Sequence, residues 1–153
     1  MINIKKRLHH REPYLLIDKV LSANKLTIVA VKTPKLSEFY LEGHFPGAPV
    51  VPGSMMQEMT TQAAGLLIAE FYSPVQNYDS DSTPGYALGV LRAIHRAKYK
   101  KFVRPDEVMT IKVTLIDQLD VSFRFVASIK VNQDVMMTNE FTLINISEEK
   151  LKA

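Results

Sequence analysis

His44 sits in a loop stiffened by glycine and proline, Gly43-His44-Phe45-Pro46-Gly47-Ala48-Pro49-Val50-Val51-Pro52-Gly53. The loop runs into an apolar segment that carries Glu58 and, four positions on, Gln62. These residue types suit proton transfer next to a carbonyl. An imidazole titrates near neutrality and can take a weakly acidic proton. A carboxyl among apolar side chains is desolvated, which raises its pKa and keeps a proton on it to give away. Backbone N–H groups at a helix N-terminus can polarise a carbonyl oxygen. Gln62, at i+4, shares a helix face with Glu58 and can hydrogen-bond its carboxyl.

The elements that must hold these groups are legible in outline. Ser54 and Gln57 have the spacing of a capping box, and Pro52-Gly53 stops the preceding chain, so a helix is predicted from Ser54 to about Phe71 or Tyr72. Met55, Met56, Met59, Ala63, Ala64, Leu66, Leu67 and Ile68 make it apolar almost all round, the pattern of a helix buried on most sides. Glu70, near its far end, is expected to reach solvent. Residues 33–53 hold four prolines and three glycines, a rigid irregular connection of the kind that usually serves function.

Residues 13–20 read as a short apolar element and 26–32 as a strand. Strand character returns at 86–94, 96–103, 108–117, 121–131 and 135–146. In 108–115 Val108, Thr110, Lys112 and Thr114 oppose Met109, Ile111, Val113 and Leu115 with a period of two, whereas 122–128 alternates only partly. Asn132-Gln133-Asp134 is a predicted hairpin turn, and the polar stretch 73–84 a surface loop. One long buried helix followed by antiparallel strands is an α+β pattern, and a sheet must wrap the helix to bury it.

Composition narrows the classes. At 153 residues, with no internal repeat or domain boundary, one domain spanning 1–153 is expected. The chain has no cysteine, which excludes disulfides and thiolate metal sites and fits a reducing, cytoplasmic setting. No apolar run is long enough to span a bilayer, and the basic start lacks the apolar core of a secretory signal. A formal net charge of +3 is too small to imply nucleic-acid binding but favours an acidic partner. His9 and His10 are adjacent, a poor geometry for a shared metal, and are expected to be surface or structural; His95 is expected to pack within a strand. No metal site and no phosphate-cradling loop is indicated.

Four blocks together resemble the bacterial 3-hydroxyacyl-acyl-carrier-protein dehydratases of type II fatty-acid synthesis. They are His10-Arg11-Glu12-Pro13-Tyr14-Leu15-Leu16-Ile17-Asp18-Lys19-Val20, the Gly43–Gly53 loop, the helix start from Glu58 to Gly65, and the segment from Ala93 to Val103. They keep the family's order and spacing over nearly the whole chain. The resemblance implies a hotdog fold, an antiparallel β-sheet wrapped around a long central α-helix. It implies a homodimer with active sites at the subunit interface, the histidine coming from one subunit and the acid from the other; further assembly into a trimer of dimers stays open. It also implies roles: His44 as base, Glu58 as acid, the Gly53 N–H on the thioester carbonyl, Gln62 orienting Glu58, and Phe45 and Gly47 shaping the substrate loop. The reaction would convert a 3-hydroxyacyl group on acyl carrier protein to the trans-2-enoyl group, without any cofactor. Met59-Thr60-Thr61, Ala48, His95 and Phe102 depart from the family's usual residues. They remove no chemical group the mechanism needs and leave acyl-chain preference and pathway open.

The basic segment Arg92, Arg96, Lys98, Lys100, Lys101 and Arg104 is either a solvated sheet face or a docking surface for the acidic carrier protein or the phosphate of its pantetheine arm. In one strand Arg96, Lys98 and Lys100 would share a face and Ala97 and Tyr99 the other. Met55, Met56 and Met59 are either plain core or the lining of an acyl tunnel. Two other functions stay open at this stage: a hotdog thioesterase that activates water with a carboxylate, and a non-catalytic carrier-binding subunit. Isomerisation after dehydration is a branch of the family that uses Asp at the acid position, where this chain has Glu58.

Overall fold

The computed structural model describes residues 1–82 and 88–153. The element order is α1 (Ile4–Arg7), β1 (Lys19–Ala23), β2 (Thr27–Lys32), α2 (Gly53–Phe71), β3 (Leu88–Tyr99), β4 (Met109–Leu119), β5 (Ser122–Val131), β6 (Asp134–Ile146) and α3 (Glu148–Lys152). The strands form one six-stranded sheet in the order β1-β2-β4-β5-β6-β3, every pair antiparallel. α2 packs against the sheet, and its Met59, Ala63, Ala64, Leu66, Leu67 and Ile68 are wholly buried. Among the described residues no helix is long and apolar enough to cross a membrane.

Period-two alternation builds the wall facing α2. Met109, Ile111, Val113 and Leu115 of β4 point inward, as their spacing predicts. So do Phe123, Phe125, Ala127, Ile129 and Val131 of β5; its alternation looks partial in sequence because the outward position 126 is also apolar. Phe125 stacks on Phe141 of β6 with ring centroids 5.7 Å apart. Each of the buried Val, Leu, Ile, Met and Phe side chains contributes on the order of 1.5–3 kcal/mol through burial.

Several boundaries differ from the sequence expectations. The segments 86–94 and 96–103 are joined: from Leu88 to Tyr99 they are one strand, with irregularities between Leu91 and Ala93 and between Ile94 and Arg96. Extra residues at such points break the apparent period of two. Residues 86–87 of the first segment lie outside the described residues, as do 83–84 of the expected loop. The short apolar element starts later, because Pro13 and the buried Leu16 and Ile17 belong to an irregular segment and the strand runs from Lys19 to Ala23. Asn132 does open a tight hairpin turn, with φ at 54°.

The capping box is absent. α2 begins one residue earlier, with Pro52 as N-cap and no side-chain cap. Ser54 is therefore inside the first turn, and Gln57 is buried and turned to the sheet, where its Oε1 accepts from Asn139 Nδ2 at 2.8 Å. Asn139 Nδ2 also donates to Thr60 Oγ1 at 2.8 Å. A buried amide bridge thus ties α2 to β6. Glu70 does not simply face water either: its Oε2 accepts from Arg7 Nε at 2.6 Å, with both side chains about three-quarters covered.

Candidate active site

The loop that carries His44 is anchored at both ends. β2 alternates inward at Ile28, Ala30 and Lys32, so a lysine occupies a core register and is buried. Its Nζ is satisfied by Glu38 Oε1 at 2.9 Å and Asp18 Oδ1 at 3.2 Å, while Asp18 Oδ2 accepts from Thr33 N at 2.7 Å. This ionic clasp fixes the start of the loop. Tyr40, Leu41 and Val51 bury its middle and end, and Val51 N bonds Val103 O at 2.8 Å.

Within the loop Phe45 and Ala48 exchange backbone hydrogen bonds around a turn, with Gly47 at φ +76°. A side chain there would meet no neighbour within 4 Å, so the requirement for glycine is conformational. Val50 N donates to His44 O at 2.9 Å, and His44 Nδ1 lies 2.9 Å from Val50 O. A carbonyl can only accept, so Nδ1 carries the hydrogen and the neutral ring keeps its lone pair on Nε2. The ring stacks on Phe45 with centroids 4.3 Å apart.

His44 and Gly53 line one cavity of about 800 Å³. Its apolar lining includes Phe45, Val51, Met56 and Met136, and Lys100, Lys101 and Arg104 join it. Glu107 and Asp134 line it as well, the latter paired with Lys101 at 3.0 Å. The first intrahelical bonds of α2 are made by the N–H groups of Met55 and Met56 to Pro52 O, leaving those of Gly53 and Ser54 without an acceptor inside the helix. Tyr99 lies over this helix start: a Cβ on Gly53 would come within 3.0 Å of its ring.

Glu58 is elsewhere. Its carboxyl, mostly covered, accepts from Gln62 Nε2 at 3.0 Å and has His10 Nε2 at 3.6 Å from the same Oε1. Burial pushes its pKa up, against a smaller downward pull from the Gln62 hydrogen bond. Gln62 is fully buried and fully engaged: Nε2 also donates to Tyr14 O at 2.7 Å, and Oε1 accepts from Leu16 N at 2.8 Å. It fastens the irregular 14–16 segment to α2 and, from its i+4 position, hydrogen-bonds the Glu58 carboxyl.

One chain therefore brings His44, Phe45 and Gly53 together and Glu58 and Gln62 together, but Glu58 does not line the His44 cavity. Helical geometry gives the reason: at about 100° per residue Glu58 lies about 200° round α2 from Met56, which faces that cavity. Gly47 lines a neighbouring cavity with Phe45 and Phe102. The basic segment divides. β3 ends at Tyr99, so Lys100 is not part of the strand; Arg96 and Lys98 are exposed along β3, whereas Lys100, Lys101 and Arg104 border the His44 cavity. Tyr99 faces Gly53 rather than the core. His95 is exposed and meets Thr142 Oγ1 at 2.7 Å. His10, expected to be surface or structural, stands beside Glu58. Its place at the head of the 10–20 block was the one available signal, because a contact between residues 10 and 58 has no local pattern.

The same architecture occurs in solved structures. "The Dehydratase Heterocomplex ApeI:P from Xenorhabdus doucetiae" superposes with a TM-score of 0.81 over 99% of this chain and 96% of that one, at 18% identity. A hypothetical thioesterase from Streptococcus pneumoniae TIGR4, solved with coenzyme A, gives 0.62 over 84% and 85%, at 16% identity. At these identities the likeness defines the class by fold: this is a hotdog protein, a sheet curled round one long helix. Sequence comparison is narrower. Residues 8–140 match the model of the FabA-like domain. A "3-hydroxyacyl-[acyl-carrier-protein] dehydratase FabZ" from Rickettsia bellii (strain OSU 85-389) is 33% identical over 135 residues, 87% of this chain and 86% of the relative. One from Chlamydia muridarum is 30% identical over 151 residues, 97% and 94%. The chain belongs to the FabA-like domain family.

Proposed function

We infer that this protein is a hydro-lyase that dehydrates 3-hydroxyacyl groups on acyl carrier protein to trans-2-enoyl groups. The observation that carries the reading is the state of His44, in a chain of the FabA-like family. Its Nδ1 is committed to Val50 O, so the neutral ring carries its lone pair on Nε2, and the side chain lines a cavity of mixed apolar and charged walls that the start of α2 also lines. His44 Nε2 takes the proton from Cα of the acyl group. The Gly53 N–H, without an acceptor inside the helix, holds the thioester carbonyl oxygen on which charge develops. Glu58, whose hold on its proton burial strengthens, gives that proton to the departing hydroxyl, which leaves as water. Both proton-transfer groups are side chains, so the reaction asks for no cofactor.

His44 and Glu58 must then meet across two copies of the chain. In support, β3 is the terminal strand of the sheet, twelve residues long, with Ile94 about half exposed. An uncovered edge of that length is a template for pairing. Antiparallel pairing of β3 with the β3 of a second copy makes a homodimer and brings the two half-sites into reach. The carrier protein, acidic, docks on Lys100, Lys101 and Arg104 beside the cavity, with Arg96 and Lys98 further out.

The test is mass spectrometry of a carrier-bound 3-hydroxyacyl thioester with the protein and its His44→Ala and Glu58→Ala variants. Loss of one water with wild type, and with neither variant, is the expected result. A released free acid would make the protein a thioesterase, and carrier binding without turnover a scaffold subunit.

A further inference from the structure

Glu58 Oε1 has two nitrogen neighbours, Gln62 Nε2 at 3.0 Å and His10 Nε2 at 3.6 Å. At 3.6 Å the imidazole is beyond a hydrogen bond, yet close enough for the charge on one group to decide the charge on the other. The pair can hold one proton in two ways, as imidazole with carboxylic acid or as imidazolium with carboxylate. Only the first leaves an acid.

The surroundings of His10 select the first. Its Nδ1 is buried and finds no hydrogen-bond partner among the described residues. An imidazolium bears N–H on both nitrogens, so protonation would bury a charged donor with nothing to accept it. A neutral ring with its hydrogen on Nε2 buries only a lone pair there. Burial opposes a positive charge on His10, and so, to a smaller degree, do His9 and Arg11 next to it in the chain. The ring is held in place: it stacks on Tyr14 with centroids 6.2 Å apart, and Tyr14 O is fastened to Gln62. Arg11 is tied to Leu8 O at 2.8 Å and Asp81 Oδ1 at 2.6 Å, so its charge cannot swing away. The ionisable groups facing the pair are thus His9, Arg11 and Tyr14; Arg7, which lines the cavity beside His10, is already matched by Glu70.

We propose that His10 is a positioning residue for Glu58: a neutral imidazole fixed beside the carboxyl, it leaves the shared proton on Glu58. Because Oε1 takes both nitrogen neighbours, the proton sits on Oε2, the oxygen left for a leaving group. The inference rests on reading Glu58 as the acid.

The test is a carbon-13 NMR titration of the Glu58 carboxyl in wild type, His10→Lys and His10→Gln, with the pH profile of kcat for each. A permanent cation at position 10 draws the proton off Glu58, so its midpoint and the alkaline limb of kcat fall by about 1–3 pH units in His10→Lys. His10→Gln, neutral and with an N–H donor, leaves both where they are. Equal behaviour of the two variants would overturn the proposal. If His10→Lys does not fold, nitrogen-15 NMR of wild-type His10 near neutral pH decides. A neutral ring with Nε2–H supports the proposal, and an imidazolium beside an ionised Glu58 overturns it. The carboxyl titration does not need turnover, so it stays decisive even if an active Glu58→Gln protein removes Glu58 as the acid.

Discussion

Glu58 carries a thermodynamic signature that can be read without any substrate. Its folded-state pKa is raised by burial, so the folded chain binds that proton more tightly than the unfolded chain does. The resulting stabilisation is fully present below the ordinary carboxylate value, near pH 4.3, and is lost as pH rises through the raised value. Gln at this position keeps an oxygen for Gln62 Nε2 and never ionises. Glu58→Gln should therefore match wild type in acid and become the more stable protein as pH rises, measured by urea unfolding across pH. An unchanged difference at all pH values would mean that Glu58 ionises in the fold as freely as in water. At His44 the decisive contact is Nδ1 to Val50 O, which sets the tautomer by geometry. His44, Glu58 and Gln62 were legible as residue types at telling distances; which nitrogen of His44 is bare was not, because it depends on where the loop carbonyl of Val50 turns.

At the scale of elements, two polar devices hold the site's supports. Asn139 ties β6 to α2 through Gln57 and Thr60. Asn139→Leu leaves Gln57 Oε1 buried without a donor and should cost about 2 kcal/mol of unfolding free energy. Adding Gln57→Leu should return part of that loss, because removing both partners costs less than stranding one. A double variant as unstable as the sum of the singles would mean that the bridge is not an energetic unit. The second device is the clasp of Lys32 with Asp18 and Glu38 at the root of the His44 loop. Lys32→Ala strands the mostly covered Glu38 carboxylate, with the half-exposed Asp18 beside it, and should cost about 2 kcal/mol. Hydrogen exchange should show the 33–51 loop opening before the sheet does. Gln57 illustrates why sequence misleads here: S-x-x-Q before an apolar run is a sound cap signal, but Pro52, with its extended backbone, starts the helix one residue sooner and hands Gln57 to the core.

The whole molecule sets the last requirement, since the His44 cavity and the Glu58 carboxyl face different ways. If they are completed by a second copy, mixing inactive His44→Ala and Glu58→Ala proteins under subunit exchange should restore activity. Half the dimers would be hybrids with one intact site each, giving about a quarter of the wild-type rate. No recovery despite demonstrated exchange would place both groups in one chain. Charge acts at the same scale. Lys100 and Arg104 beside the His44 cavity should steer an acidic carrier, so Lys100→Glu with Arg104→Glu should raise KM for carrier-bound substrate, leave kcat nearly unchanged and flatten the salt dependence. A KM that ignores both salt and these changes would put the carrier elsewhere.

The sequence by itself determined what depends on local pattern. The inward faces of β4 and β5, the long buried helix and the family membership follow from periodicity and from blocks of residues in fixed order. So does the pairing of Gln62 with Glu58, since one turn of helix brings i and i+4 together whatever surrounds them. Only the tertiary structure decided what depends on segments far apart in the chain. The rotation of α2 put Glu58 on the side away from His44, and the 10–16 segment brought His10 against that carboxyl. The end of β3 separated Lys100 from the strand and left Tyr99 over Gly53. Local spacing fixes which side chains share a face; it carries no information on which remote backbone that face meets, and at this site the remote contacts decide what stands beside His44 and Glu58.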